Sequence, residues 1–353
     1  MDTTSSSIVE QGMLPDIDGA RCVHSHSHLA SCRLCVDACP DDALVMNDEL
    51  FGVNEDACSF CGLCQPACPQ NAISMKETVP VDKGVALLEC NRAPDATGKL
   101  SIQCIHSQGL EQLARLYQKN VRQIALLTGD CDHCNRYRKT GFFVQLTAFN
   151  RLAESRGLAP VELITADIGH WQAWLEDQAK SGIANKGRRA FLHSLVAPVI
   201  EEEAKPEKNT ALARLQERSE NDPATACYAA IPAIDPQKCN GCDACINICP
   251  EHALILVKEE SALLQYTFLS HCCTGCGLCV DVCQMGAMSL EEMTSQSVSA
   301  VELCAKTCKS CGAGFHLPKM SADLEPNKGS GNSDLCRICS MTGHNRKLFQ
   351  VLT

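Results

Sequence analysis

Residues 239–250 read CNGCDACINICP, four cysteines at spacings of two, two and three with a proline behind them, and residues 273–284 repeat the pattern as CTGCGLCVDVCQ. This spacing constrains the backbone more than any other feature of the chain. Three cysteines two residues apart wrap a loop around successive corners of an iron–sulfide cube, and the fourth opens a helix that carries its thiolate to a second cube. The pattern predicts one [4Fe–4S] cluster on Cys239, Cys242, Cys245 and Cys283, and a twin on Cys273, Cys276, Cys279 and Cys249. A zinc site takes four ligands and leaves eight interleaved cysteines unexplained. Gln284 stands where the second motif would place proline, which restores a backbone N–H that can bond to a cluster sulfur and tune its potential. Cys272, beside Cys273, reads as a buried, inert thiol.

With short strands expected in HALILVKEE and SALLQYTFL, residues 230–292 resemble the bacterial two-cluster ferredoxin fold. An earlier block resembles it too, over residues 20–80. There CSFCGLCQPACP (58–69) is complete, whereas CRLCVDACP (32–40) has only the last three cysteines, and Leu29 occupies the place of the first. Cys22 lies seven residues farther upstream, in RCVHSHSHLASC, and an enlarged first loop is predicted to bring it back to the cluster. One cluster then takes Cys22, Cys32, Cys35 and Cys68, and the other Cys58, Cys61, Cys64 and Cys39. Two rivals stay open: ligation by His24, His26 or His28, which would raise the potential, and a three-cysteine [3Fe–4S] cluster.

Cysteine usage places the chain. The sequence has 27 cysteines in 353 residues, too many for ordinary cytoplasmic usage and in too long a chain for a secreted disulfide scaffold. The opening MDTTSSSIVEQGMLPDIDG shows no basic or apolar leader region, and no stretch approaches the roughly 18 apolar residues of a membrane helix. The reducing cytoplasm is the expected compartment, where abundant cysteine means metal. The formal net charge of −11 counts each cysteine as neutral, and four thiolate-bound cubanes would add about −8. Such a surface excludes nucleic acid and anionic lipid as partners and suits a redox protein with a basic docking patch.

Residues 84–168 follow a different pattern. GVALLEC, LSIQC, RQIALLTGDC and VELITAD read as strands, while GLEQLARLYQKN and FFVQLTAFNRLAESRG, the latter closed by Gly157, read as helices. The alternation predicts a small parallel α/β domain. Cys90, Cys104 and Cys131 fall at strand carboxyl ends, where such sheets place their sites, and Cys134 follows Cys131 at chelate spacing. ALLECNRA, SIQC, the helix around Leu113 and LLTGDCDHC resemble the delta subunit of methyl-viologen-reducing hydrogenase, a [2Fe–2S] protein that passes electrons to heterodisulfide reductase. The family has CxxC at its first strand end, but here Ala93 replaces the second cysteine. The resemblance implies a [2Fe–2S] cluster on Cys90, Cys104, Cys131 and Cys134; zinc or a metal-free site is the alternative.

CKSCG (308–312) and CRICS (336–340) form two C-x2-C knuckles, predicting a tetrahedral site on Cys308, Cys311, Cys336 and Cys339 with zinc favoured over rubredoxin-type iron and a strand in GAGFHLPKM. Cys227, Cys272 and Cys304 are left over.

The expected fold class is α+β multidomain: two bacterial ferredoxin-like folds, a parallel α/β domain between them and a C-terminal four-cysteine metal ribbon. Its boundaries are an arm (1–19), ferredoxin module 1 (20–80), the α/β domain (81–200), a charged linker with one short helix (201–229), ferredoxin module 2 (230–298) and the ribbon-like tail (299–353). There is no nucleotide loop, nucleophile elbow, radical motif or flavin fingerprint. The expected function is a cytoplasmic electron relay between a redox enzyme, such as a hydrogenase, formate dehydrogenase or heterodisulfide-reductase-like complex, and its acceptor. The alternatives are an enzyme component whose middle-domain cluster handles a sulfur or thiol substrate, and a redox sensor.

Overall fold

The computed structural model describes residues 14–46, 51–76, 79–94, 96, 103–136, 141–176, 210–217, 226–258, 264–295, 300–319 and 334–342. Two compact units divide the chain: Met1–Ala20 with Arg33–Arg218, and Arg21–Cys32 with Ser219–Thr353. Among the described residues no helix is long and apolar enough to cross a membrane.

The first unit contains two small antiparallel ladders and one larger sheet. Strand β1 (Asp16–Ile17) pairs with the strand that follows the second cysteine motif, while β2 (Leu44–Met46) pairs with β3 (Phe51–Val53). The partner of β1 is β4 (Ile73–Ser74), with Ile17 opposite Ile73. Short helices Leu34–Ala38 and Cys64–Ala67 follow the cysteine loops. Their shared core is Cys35, Leu44, Cys64 and Ile73, flanked by Cys39 and Cys68, so cysteines fill space that aromatic side chains occupy in ordinary cores.

The middle region is the predicted parallel α/β sheet. β5 (Val81–Asp82) makes a tight antiparallel turn into β6 (Val85–Glu89), which runs parallel to β7 (Gln123–Leu127), itself parallel to β8 (Glu162–Thr165). Helices Leu110–Gln118 and Phe142–Glu154 form the crossovers, burying Leu113, Leu116 and Tyr117 from the first and Phe142, Phe149 and Leu152 from the second. Gly157 closes the latter at φ 71°, with the Leu158 N–H donating to the Ala153 carbonyl. The strand expected in LSIQC is absent among the described residues: Gln103 and Cys104 are irregular, and the rest of that segment lies outside them. Gly109 lets the helix Leu110–Gln118 press on the first ferredoxin block, since a Cβ there would stand 2.6 Å from Cβ of Pro66.

Within the expected linker the helix exists as Ala211–Glu217, but it is anchored rather than loose. The buried Glu111 carboxylate accepts the Ala211 and Leu212 N–H groups at 3.1 and 3.0 Å, capping its start. Arg156, only 1 % exposed, donates from Nε and Nη2 to the Gln216 carbonyl near its end.

In the second unit β9 (Cys227–Ile234) pairs with β12 (Met288–Ser295). β10 (Leu254–Lys258) pairs with β11 (Leu264–Phe268), as the sequence predicts for the ferredoxin hairpin. The tail extends this sheet: β13 (Ala300–Thr307) pairs with β11, and β14 (Gly314–Pro318), the strand expected in GAGFHLPKM, pairs with β13. The order is therefore β10-β11-β13-β14, one continuous antiparallel layer.

Candidate metal centres

Three cysteine loops share one backbone solution. Counting from the first cysteine, the residues two and four places on have left-handed φ: Phe60 and Gly62 after Cys58, Gly241 and Asp243 after Cys239, Gly275 and Gly277 after Cys273. Alternation of this kind turns successive N–H groups inward and forms an anion-binding concavity. Phe60 at φ 54° is costly for a bulky residue, and such strain persists where a site demands it.

The fourth cysteine of each motif is equally regular. Its Sγ accepts the N–H of an alanine four residues on: Ala43 to Cys39, Ala72 to Cys68 and Ala253 to Cys249, each at 3.3 Å, and Ala287 to Cys283 at 3.2 Å. The residue before each alanine takes left-handed φ, and these are Asp42, Asn71, His252 and Gly286, types that tolerate it. Each N–H favours a thiolate, the form that binds metal.

Two cavities bring the fourth cysteine of one motif together with three cysteines of its sister. Cys39 lines one with Cys58, Cys61 and Cys64. Cys283 lines the other with Cys239, Cys242 and Cys245. Cys249 faces Cys273, Cys276 and Cys279 closely enough for their charges to interact, which completes the twin set. Burial is the main cause that pushes Cys245 and Cys273 up to about 12, and neighbouring sulfurs add to it. Bare thiols packed so closely stay protonated, so metal must displace protons to bind. Four sulfurs around a cavity with inward N–H groups fit a [4Fe–4S] cube.

Of the remaining predicted set, Cys35 and Cys68 pack in the core of the first unit. Cys22 and Cys32 belong to the segment Arg21–Cys32, counted with the second unit. Cys22 precedes the short helix Val23–His26, the Nε2–H of His24 donates to the Cys32 carbonyl at 2.8 Å, and Leu29 is 49 % exposed. Arg33, next to Cys32, has φ −130°, unlike its left-handed counterparts Gly62, Asp243 and Gly277. The backbone before Cys35 thus differs from that of the other three cysteine loops.

In the middle domain Cys90 follows β6 and its N–H donates to the Leu127 carbonyl of β7 at 2.9 Å. Cys104, 3 % exposed, and Cys131 both sense the charge of Cys90, and Cys131 also that of Cys134. The Arg92 guanidinium donates to Cys134 Sγ at 3.1 Å. His133 pairs with Asp130 at 2.8 Å on an exposed loop.

The tail site is geometrically distinct. The Sγ atoms of Cys308, Cys311, Cys336 and Cys339 all lie within 4.8 Å of one another, and no other group of three or more His, Cys, Asp or Glu does so among the described residues. Cys311 Sγ and Cys336 Sγ are 3.7 Å apart. A tetrahedron with metal–sulfur bonds of about 2.3 Å has an edge of about 3.8 Å, so this is a pocket for a single ion. Backbone N–H groups of Cys336, Cys311 and Ser310 hold the Cys308 thiol down to about 6. Cys227 is buried in β9, while Cys304 and Cys272 are half-buried; the expectation of a buried Cys272 is corrected, since it ends the short turn Ser270–Cys272 with only part of its surface covered.

Sequence reasoning missed one network. Tyr266, 1 % exposed, donates its hydroxyl to Asp243 Oδ1 at 2.7 Å, and His316 Nε2 reaches the same oxygen at 2.9 Å. It ties strand β14 to the loop of Cys242 and Cys245. The one signal in the sequence was Gly241: a Cβ there would stand 1.9 Å from the His316 carbonyl oxygen.

Residues 51–74 and 267–289 match one family of 4Fe-4S binding domains, and residues 231–254 match a second. The chain therefore contains 4Fe-4S binding domains, and a four-cysteine site lies near its C-terminus. No curated protein matches the chain.

Proposed function

We propose that the chain is a cytoplasmic electron-relay subunit of an oxidoreductase complex. It would hold four [4Fe–4S] clusters in two ferredoxin modules, a [2Fe–2S] cluster on Cys90, Cys104, Cys131 and Cys134, and zinc on Cys308, Cys311, Cys336 and Cys339. The observation that carries this reading is the shared lining of each cavity: three cysteines of one motif meet the fourth cysteine of its sister, Cys39 or Cys283. Bound there, a cubane supplies one-electron chemistry. The chain's own residues supply thiolates, inward N–H groups and exclusion of water, which are the protein's means of setting a potential. The middle-domain cysteines stand at the carboxyl edge of the sheet, with Cys131 and Cys134 half-buried, so this edge is the docking end for a redox partner such as a hydrogenase, a formate dehydrogenase or a heterodisulfide-reductase-like enzyme.

The test replaces Cys131 and Cys134 together by Ser in anaerobically purified protein. The relay reading expects electron transfer between physiological partners to stop while the ferredoxin clusters still reduce with dithionite. Transfer at the wild-type rate removes the middle domain from the path. Normal electron entry with loss of a chemical product supports a catalytic component instead.

A further inference from the structure

Cys61 and Cys104 belong to different predicted sites, yet they pack against one another with Leu63 in one buried cluster. They are 7 % and 3 % exposed. Cys61 is a ligand position of the first ferredoxin module and Cys104 of the middle domain, and both lie in the first unit. Beside them stands Arg136, 6 % exposed. Its Nη2 donates to the Ser59 carbonyl, inside the loop between Cys58 and Cys61, at 3.2 Å. Its Nη1 donates to the Gln103 carbonyl at 3.4 Å and to Asn91 Oδ1 at 3.3 Å, next to Cys104 and Cys90.

These partners are all neutral oxygens. Among the described residues Arg136 forms no ion pair with a carboxylate. A buried guanidinium is always charged, and a buried charge without a counter-charge is strongly destabilising. Sulfurs that become anionic on binding metal stand beside it: Cys104 senses Arg136, Cys90 and Cys61 together. As bare thiols they bring the cation no charge; as metal-bound thiolates they face it with negative charge from two sides.

We propose that Arg136 is a shared electrostatic anchor for two adjoining iron–sulfur sites, that of Cys39, Cys58, Cys61 and Cys64 and that of Cys90, Cys104, Cys131 and Cys134, and that the Cys61–Cys104 contact makes them one coupled pair. The proposal rests on the middle-domain reading above. Arg136 acts through the thiolates, so it is a positioning residue. A cation held between two sites favours the more negative, reduced state of each.

The experiment follows both sites by electron paramagnetic resonance during redox titration of the whole anaerobic protein, with the Cys131/Cys134 double Ser variant identifying the middle signal. Arg136→Met is expected to move both midpoint potentials to more negative values, and Arg136→Lys to restore them in part. The fully reduced wild type is expected to show signals broadened by mutual magnetic coupling, a readout that needs no variant to fold. Absence of any middle signal in the wild type overturns the middle-site reading and the pair with it. Two signals that neither broaden nor move together on Arg136→Met overturn the shared anchor while leaving both sites standing.

Discussion

The backbone N–H of Asp18 donates to the carbonyl of Ala72 at 2.8 Å. The same bond joins Asn54 to Ala43, Asp235 to Ala287 and Leu269 to Ala253. Asp18, Asn54 and Asp235 each also accept the N–H two residues on, an Asx turn that reverses the chain toward its cysteine. Four residues beyond these positions stand Cys58, Cys239, Cys273 and, after Asp18, Cys22. Asp18 thus precedes Cys22 as Asn54 precedes Cys58 and Asp235 precedes Cys239, and this repeat supports the proposal of Cys22 as a ligand. Cys22→Ala should convert one cubane to a three-iron form or lose it, whereas His24→Ala should leave the low-temperature resonance spectrum unchanged. An unaltered spectrum in Cys22→Ala removes it from the ligand set and sends the search to the histidines.

How much of this was legible in the sequence depended on whether the information was local. Motif spacing is local, so the cysteines that line the two cavities with Cys39 and Cys283 could be named from the spacing itself. The helix at Leu113 could be read from periodicity because it buries one side, and the strands at Leu87 and Ile124 from short apolar runs that bury consecutive residues. The repeat that points to Cys22 escaped because it depends on a hydrogen bond between residues far apart in the chain, Asp18 and Ala72. Arg136 escaped for a similar reason: in the loop CDHCNR it looks like one more solvated cation, and only the packing of Gln103 and Ser59 around it makes it buried. The linker helix was read from composition, but the two long-range anchors that fix it, Glu111 and Arg156, carry no signal in the linker itself.

Gly241 separates two causes of glycine necessity. It combines φ 66° with a close approach, since a Cβ there would stand 1.9 Å from the His316 carbonyl oxygen, whereas Gly277 has φ 80° with nothing within 4 Å. Gly277→Ala should cost about 1 kcal/mol from backbone conformation alone. Gly241→Ala must also push β14 off the cluster loop, so the loss should be about 2 kcal/mol or more. Thermal melts of the two variants under anaerobic conditions check the difference; equal losses would mean that β14 yields without resistance.

Glu111 offers a stability test that touches no cysteine. Its carboxylate accepts two helix N–H groups and the Arg115 Nε–H at 2.9 Å while itself only 6 % exposed. Glu111→Ala strands both N–H groups and should destabilise the first unit by about 1–3 kcal/mol. Hydrogen exchange should show residues 210–217 opening first. The absorption of the clusters should be unchanged at low temperature, since no ligand is touched.

The tail site discriminates between metals by what its removal leaves behind. Zinc is colourless and structural, so a chelator should extract about one ion per chain without bleaching the iron–sulfur absorption. Rubredoxin-type iron would instead show as a loss of visible colour and as an extra iron in the protein count. The proton balance gives a second handle. Cys308 is held down to about 6 by backbone N–H groups, so in the metal-free site it is ionised at neutral pH. As pH falls through about 6 it takes up its proton, and metal must then displace it, so affinity should weaken over that interval. Cys311→Ser removes an exposed ligand whose Sγ lies 3.7 Å from that of Cys336. Retention of a full equivalent of zinc by that variant, with the same pH profile, would show that the ion is held elsewhere.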